Sequence, residues 1–210
     1  MSASVPDFLS ALRRATQPVH KSLESLVDAQ RLLSTRPRLE HYQRLLSAQY
    51  LLHSEFSRHL ANTFSINSMH DKPVLDWPEC VRLQLLERDL EALSVDIHPL
   101  EFKQLELATK GQALGMLYVC EGSCIGNQQL YAALKKHRQF VDWNGYAFLS
   151  GCKSGFAERW KTTLKLLGEH CKNEVTNPQY MSIERGALAA FELYGSYWTG
   201  LASADCKLHA

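Results

Sequence analysis

Apolar residues recur along this chain at the three-and-four spacing of a helix and nowhere alternate long enough to build a sheet, so the expected fold is all-α. Phe8, Leu12, Ala15, Val19, Leu23 and Leu26 mark the buried face of a first helix, which Ser4, Pro6 and Asp7 start near Val5 in a capping-box pattern. Pro18 falls inside it, removes the hydrogen bond to the Arg14 carbonyl and bends the axis just ahead of His20. After a loop around Ser34–Pro37, a second helix runs from Arg38 to about Asn62, with Leu39, Tyr42, Leu46, Gln49, His53, Phe56 and Leu60 on one side. Thr63–Pro78 has no period and reads as an irregular connection. Glu79 to Leu93 is helical through Leu83, Leu86, Leu90 and Leu93, and a helix from about Glu101 to Lys110 leads into a glycine-bearing segment. Asp142, Asn144 and Gly145 form a turn, followed by the short, glycine-punctuated Phe148–Gly155. Two helices close the chain, one over about Phe156 to Cys171 and one opening at the Asn177-Pro178 cap and carrying Ile183, Leu188, Phe191, Tyr194 and Trp198.

The segment Leu114–Leu130 places Gly115, Gly122 and Gly126 among good helix formers, although each interior glycine costs a helix about 1 kcal/mol against alanine. Gly122 and Gly126 stand four apart, so they share one helical face that has no Cβ atoms. Such a face admits either another helix or a planar ligand close to the main chain. Helix packing is the simpler of the two readings.

A chain of 210 residues with 45% apolar composition can bury one sizeable core, and a single domain over 1–210 is expected. The formal charge of +1, from 23 basic and 22 acidic residues spread along the chain, leaves no footprint for nucleic acid or an anionic membrane. No apolar run reaches the ~18 residues of a membrane span, and the N-terminus lacks the order of a signal peptide, so a cytoplasmic protein is expected. Six cysteines contain no Cys-x-x-Cys pair, which points to reduced, mostly buried thiols.

Nine histidines include no His-x-x-x-His pair, and no Glu is followed by His at the third position, against a di-iron carboxylate site. His20 is distinguished by Glu24 one turn on. A carboxylate there can fix one ring nitrogen and leave the other to bind a metal, though such a pair is more commonly a modest surface stabiliser. Phe191, Tyr194, Tyr197 and Trp198 could wall a pocket, but aromatic stripes at this spacing are ordinarily core. Cys120 and Cys124 flank Glu121 without a visible activating group, so buried inert thiols are the expectation.

Two stretches taken together add to this. LRRATQPVHKSLESL (Leu12–Leu26) resembles the proximal, heme-ligating helix of the heme oxygenases, with its Leu-Arg-x-x-Thr-x-x-x-His pattern and an acidic residue four beyond the histidine. ALGMLYVCEGSCIGNQQL (Ala113–Leu130) resembles the distal helix of bacterial members, close to Gly-x-Leu-Tyr-Val-x-Glu-Gly-Ser-x-Leu-Gly-Gly. Weaker likeness continues through Phe148–Gly151, Arg159-Trp160 and Ala190-Phe191 to Trp198, over nearly the whole chain.

The resemblance implies a single-domain, all-α helical bundle that holds heme as both substrate and cofactor. It implies opening of the ring with O2 and an electron donor (ferredoxin, flavoprotein reductase or ascorbate), releasing biliverdin, carbon monoxide and ferrous iron. Carried over by position, His20 is the axial iron ligand, Glu24 orients it, and Arg13 and Tyr118 bind heme propionates, a role that suits a guanidinium. Gly122 and Gly126 let the backbone pack close over the iron, and Ser123 stands where many members keep an aspartate to organise distal water. Asn127 replaces the last glycine of the motif and would add a polar group near the pocket. That departure supports a rival reading, a heme-binding or heme-trafficking protein that turns over poorly. Thiaminase-like and cofactor-biosynthesis proteins of similar topology form a third class, working without heme.

Overall fold

The computed structural model describes residues 7–27, 29–33, 37–64, 79–96, 107 and 109–208. Among them the chain forms nine helices and no strand: α1 (Asp7–Val27), α2 (Ala29–Leu32), α3 (Leu39–Phe64), α4 (Glu79–Ala92), α5 (Lys110–Leu134), α6 (Arg138–Trp143), α7 (Ala147–Gly151), α8 (Phe156–Cys171) and α9 (Pro178–Leu208). The all-α expectation holds. The Ser4–Asp7 cap, the loop around Ser34–Pro37 and most of Thr63–Pro78 lie outside the described residues.

The glycine-bearing helix α5 is the centre of the bundle. Over Ala113–Cys120 it is apolar around its whole circumference, as a helix segment walled on all sides must be, and every residue from Ala113 to Glu121 is buried. α9 and α8 pack against it, while α3 joins α4 and α9, and α1 lies on α9. The helix begins afresh at Lys110. Thr109 Oγ1 accepts from the Gln112 N–H at 3.2 Å and Gln112 Oε1 accepts from the Thr109 N–H at 3.1 Å, a capping box that satisfies two orphan donors at once. The predicted lead-in over 101–106 lies outside the described residues.

α8 has the predicted bounds, and α9 starts where predicted, with Asn177 Oδ1 accepting from the Gln179 N–H at 2.9 Å. α7 differs from its expectation. Asp89, buried on α4, accepts the backbone N–H groups of Ala147 and Phe148 at 2.8 Å each, so a distant carboxylate caps a five-residue helix. Burial pushes the Asp89 carboxyl above its ordinary value while these two donors pull it back. α1 differs too. It continues unbroken through Pro18, and of its predicted buried stripe Phe8 and Leu12 are buried, Ala15, Val19 and Leu23 are half-buried and Leu26 is exposed.

α5 meets α9 main chain to main chain. A Cβ at Gly115 would collide with the Ile183 carbonyl oxygen and lie 2.6 Å from Ala187 N, and one at Gly186 would collide with the Gln112 carbonyl. Neither obstacle is a side-chain end that could swing aside. Gly115→Ala should therefore destabilise the heme-free protein despite the roughly 1 kcal/mol of helix propensity it gains, through overpacking that typically costs about 1–3 kcal/mol. Gly126→Ala, which meets nothing within 4 Å, should stabilise or leave unchanged. Thermal denaturation reads the pair at roughly 2–4 °C per kcal/mol. Equal melting temperatures would remove the close crossing.

Candidate functional site

The two helices singled out by sequence meet at Tyr118. Its ring is buried on α5, and its hydroxyl lies beside the Thr16 hydroxyl and the Arg13 guanidinium, both on α1. Burial raises the Tyr118 phenol above its ordinary value and Arg13 draws it back, so the group stays a neutral donor. Thr16 is held for this contact by donating to the Leu12 carbonyl at 2.8 Å. Arg13 itself is exposed, which leaves a cation at the edge of the α1–α5 junction.

Beyond the junction both helices turn uncovered positions outward. One turn along α1, His20 is 52% exposed at its side chain. Its Nδ1 lies 3.5 Å from Glu24 Oε1, and its ring stands edge-on to Phe191 of α9 with centroids 5.4 Å apart and planes at 82°. Nε2 is thus the nitrogen turned away from Glu24. One and two turns along α5, Gly122 and Gly126 present the bare face.

Their surroundings decide between the two readings of that face. A Cβ at Gly122 would meet only the Trp160 ring, at 3.8 Å, and one at Gly126 would meet nothing within 4 Å. Among the described residues no helix backbone meets either glycine, and only the Trp160 side chain of α8 stands over Gly122. Helix packing uses Gly115 and Gly186 instead, so α5 carries two sets of glycines with different purposes. Trp160, stacked on Phe156 at 6.2 Å and tilted against Tyr118 at 5.7 Å, walls the end of the bare face. Ile125, between the two glycines, is an exposed apolar side chain.

Ser123 is half-buried and donates its hydroxyl to the Cys120 carbonyl at 2.8 Å, keeping its oxygen lone pairs as acceptors. The expectation for Asn127 is corrected. Its side chain is buried, and Nδ2 donates to Cys152 Sγ at 3.8 Å, because position 127 is rotated off the Gly122–Gly126 face and into the protein. It adds no polar group at the open face. The rival reading loses the observation that motivated it.

Behind the glycine face lies a polar cluster that sequence reasoning missed. Glu121 is 0% exposed, its Oε1 is ion-paired with Arg82 of α4, and its Oε2 accepts from Arg159 Nε of α8 at 3.2 Å. Arg159 also donates to the carbonyls of Cys152, at 3.3 Å, and Ser154. Arg82 donates to Cys124 Sγ at 3.5 Å. Three helices and the α7–α8 link are therefore tied at the residue next to Gly122. The signal available in sequence was an acidic residue at a wholly apolar position of a helix, which requires a buried partner. No group of His, Cys, Asp and Glu among the described residues could hold a metal ion by itself.

The family model "Heme oxygenase" matches residues 6–198. None of the curated proteins compared with this chain matches it. Among solved structures, the NO- and CO-bound heme oxygenase of Neisseria meningitidis superposes with a TM-score of 0.68 at 24% identity, over 92% of this chain and 91% of that one, a likeness of fold.

Removing one member of a buried ion cluster leaves uncompensated charge, which is destabilising by about 3–5 kcal/mol. Glu121→Ala should accordingly lower the melting temperature by roughly 6–20 °C. A loss within a couple of degrees would mean that the cluster does not hold α4 and α8 to α5.

Proposed function

This chain belongs to the heme oxygenase family, and on that footing we propose that it cleaves heme to biliverdin, carbon monoxide and ferrous iron, using O2 and electrons from an external donor. A ferredoxin, a flavoprotein reductase or, in vitro, ascorbate would serve as donor. We place it in the cytoplasm as one domain; no helix among the described residues is long and apolar enough to cross a membrane. The observation that carries the reading is the bare, unoccupied-by-helix face of Gly122 and Gly126, reached from the same junction that leaves His20 half exposed.

The residues fit a flat apolar ring with carboxylate substituents. Gly122 and Gly126 admit a plane against the α5 backbone, Trp160 and Phe191 supply aromatic surface, and Ile125 and Leu26 are apolar side chains left in the open. When bound, heme would supply the iron that activates oxygen and the ring that is oxidised. His20 would hold the iron through Nε2, with Glu24 accepting from Nδ1–H and so keeping the Nε2 lone pair available. Arg13 would bind a propionate as a charge-assisted pair, and the Tyr118 hydroxyl, already beside Arg13, would donate to the same anionic edge. The backbone of α5 at Gly122–Gly126 would exclude bulk water from one side of the ring. Ser123, with its proton committed to Cys120, can only accept there, so it would orient a water molecule rather than deliver its own proton.

Hemin titration followed by ascorbate under oxygen tests the reading. Wild-type protein should give a histidine-ligated Soret band and then the biliverdin absorption. His20→Ala should lose the histidine-ligated band while the heme-free chain melts at the wild-type temperature, since the ring is half exposed; an unchanged band would remove His20 from the site.

Gly126→Leu separates binding of the fold from function. Its Cβ would meet no described atom within 4 Å, so the heme-free variant should fold normally while biliverdin formation fails. A variant that forms biliverdin at the wild-type rate would sink the assignment of α5 as the helix over the ring.

A further inference from the structure

Glu121 and Arg159 are joined behind the bare face, and the residues that follow them in the chain, Gly122 and Trp160, meet at it. Glu121 Oε2 accepts from Arg159 Nε at 3.2 Å, so the pair spans from α5 to α8. One residue on, a Cβ built on Gly122 would lie 3.8 Å from Cη2 and 3.9 Å from Cζ3 of the Trp160 ring. Among the described residues no other side chain from beyond α5 comes within 4 Å of the missing Cβ of Gly122 or Gly126. Trp160 therefore bounds the bare face at its Gly122 end and leaves it open toward Gly126.

The position of Trp160 depends on how the first turn of α8 is held. The N-cap of that helix, Gly155, makes no side-chain hydrogen bond, so the turn lacks the usual cap. Arg159 takes hold of the chain leading into it instead, donating to the Cys152 carbonyl at 3.3 Å and to the Ser154 carbonyl. Gly155 has φ +61°, in the left-handed region, and a Cβ there would lie 3.3 Å from Arg159 Nη1, so the link turns tightly around the guanidinium. All three nitrogens of a rigid planar fork thus have acceptors, one on α5 and two on the α7–α8 link. The Trp160 ring also stacks on Phe156 at 6.2 Å and tilts against Tyr118 at 5.7 Å. Aromatic contacts of this kind tolerate a range of offsets and tilts, whereas a charge-assisted fork fixes both distance and angle.

We propose that Arg159 is a positioning residue for the planar ligand: paired with Glu121, it holds the Trp160 ring as an end stop at Gly122 and so sets how far along α5 a flat ring seats. The inference rests on the heme reading, but the place of Trp160 can be measured without a ring or any turnover.

The test uses the full-length chain labelled with 5-fluorotryptophan, with zinc protoporphyrin IX as a diamagnetic ring that stands in for heme. Trp160→Ala identifies the Trp160 fluorine resonance, and Trp143, against Tyr42, and Trp198, against His41, are the references. Arg159→Lys keeps a charge beside Glu121 but replaces the fork by a single ammonium, and Glu121→Gln removes the ion pair from the other end while leaving Arg159 an acceptor. In either heme-free variant that melts cooperatively, the Trp160 resonance should shift while those of Trp143 and Trp198 stay. The ring-current shift that zinc protoporphyrin imposes on Trp160 should change as well. Affinity for the ring should fall roughly twofold to tenfold, the worth of an aromatic contact, and Arg159→Lys should cost nothing further once Trp160 is already Ala. An unchanged Trp160 resonance in both folded variants would overturn the proposal. So would an affinity loss of full size in the Trp160→Ala background, which would mark Arg159 as merely structural. Wild-type protein that binds zinc protoporphyrin with no shift at Trp160 would overturn the end stop and leave the heme reading standing; absence of binding would overturn both.

Discussion

Everything in this fold is referred to the crossing of α5 and α9, where two backbones touch because Gly115 and Gly186 have no side chains to hold them apart. Main-chain contact of this kind fixes both the distance and the register of two helices, since a Cβ on either would strike a carbonyl or an amide. Once α5 is set there, its other faces have defined neighbours: α8 on one side, α3 and α7 on another, and beyond Tyr118 a stretch with no helix against it. The open face is a remainder of the crossing. Helical spacing alone gave no distinction between Gly115 and Gly122, seven residues apart, and what lies opposite each decides their purpose.

The legible parts of the sequence were those whose cause is local. α8 and the start of α9 follow from an unbroken apolar stripe and from an Asn-Pro cap lying next to it in the chain. The capping box of Thr109 with Gln112 is equally local, written in four consecutive residues, although the helix expected from Glu101 to Lys110 ran across it. α7 was not legible, because its cap is Asp89, a side chain from another helix that lends a five-residue segment the acceptors it lacks. The second half of α1 misled for the opposite reason. Its apolar period is real, but periodicity reports which face is apolar and says nothing about whether another element covers it.

In the candidate site, His20 stands with Glu24 as their spacing implied, because i and i+4 share a face, whereas Arg13 and Tyr118, linked beforehand only by the resemblance, lie together because α1 and α5 approach near Thr16. The ion cluster needed three helices to be assembled before Arg82 and Arg159 had any connection to Glu121. Asn127 shows the limit of reading a motif as a row of letters. One residue along a helix is a rotation of about 100°, so the neighbour of an open-face glycine faces elsewhere.

The depth of the Glu121 cluster divides the molecule's charges into two populations with different responses to salt. Arg13 and Glu24 stand in solvent, where ions screen an interaction over a Debye length of about 10 Å at 0.1 M. Arg82 and Glu121 lie in the interior, where mobile ions do not enter, and their attraction keeps its strength as ionic strength rises. Rising salt would therefore weaken the pull that the α1–α5 edge exerts on an approaching anion, without loosening the helix against which that anion would settle. Capture and architecture answer to different parts of the medium.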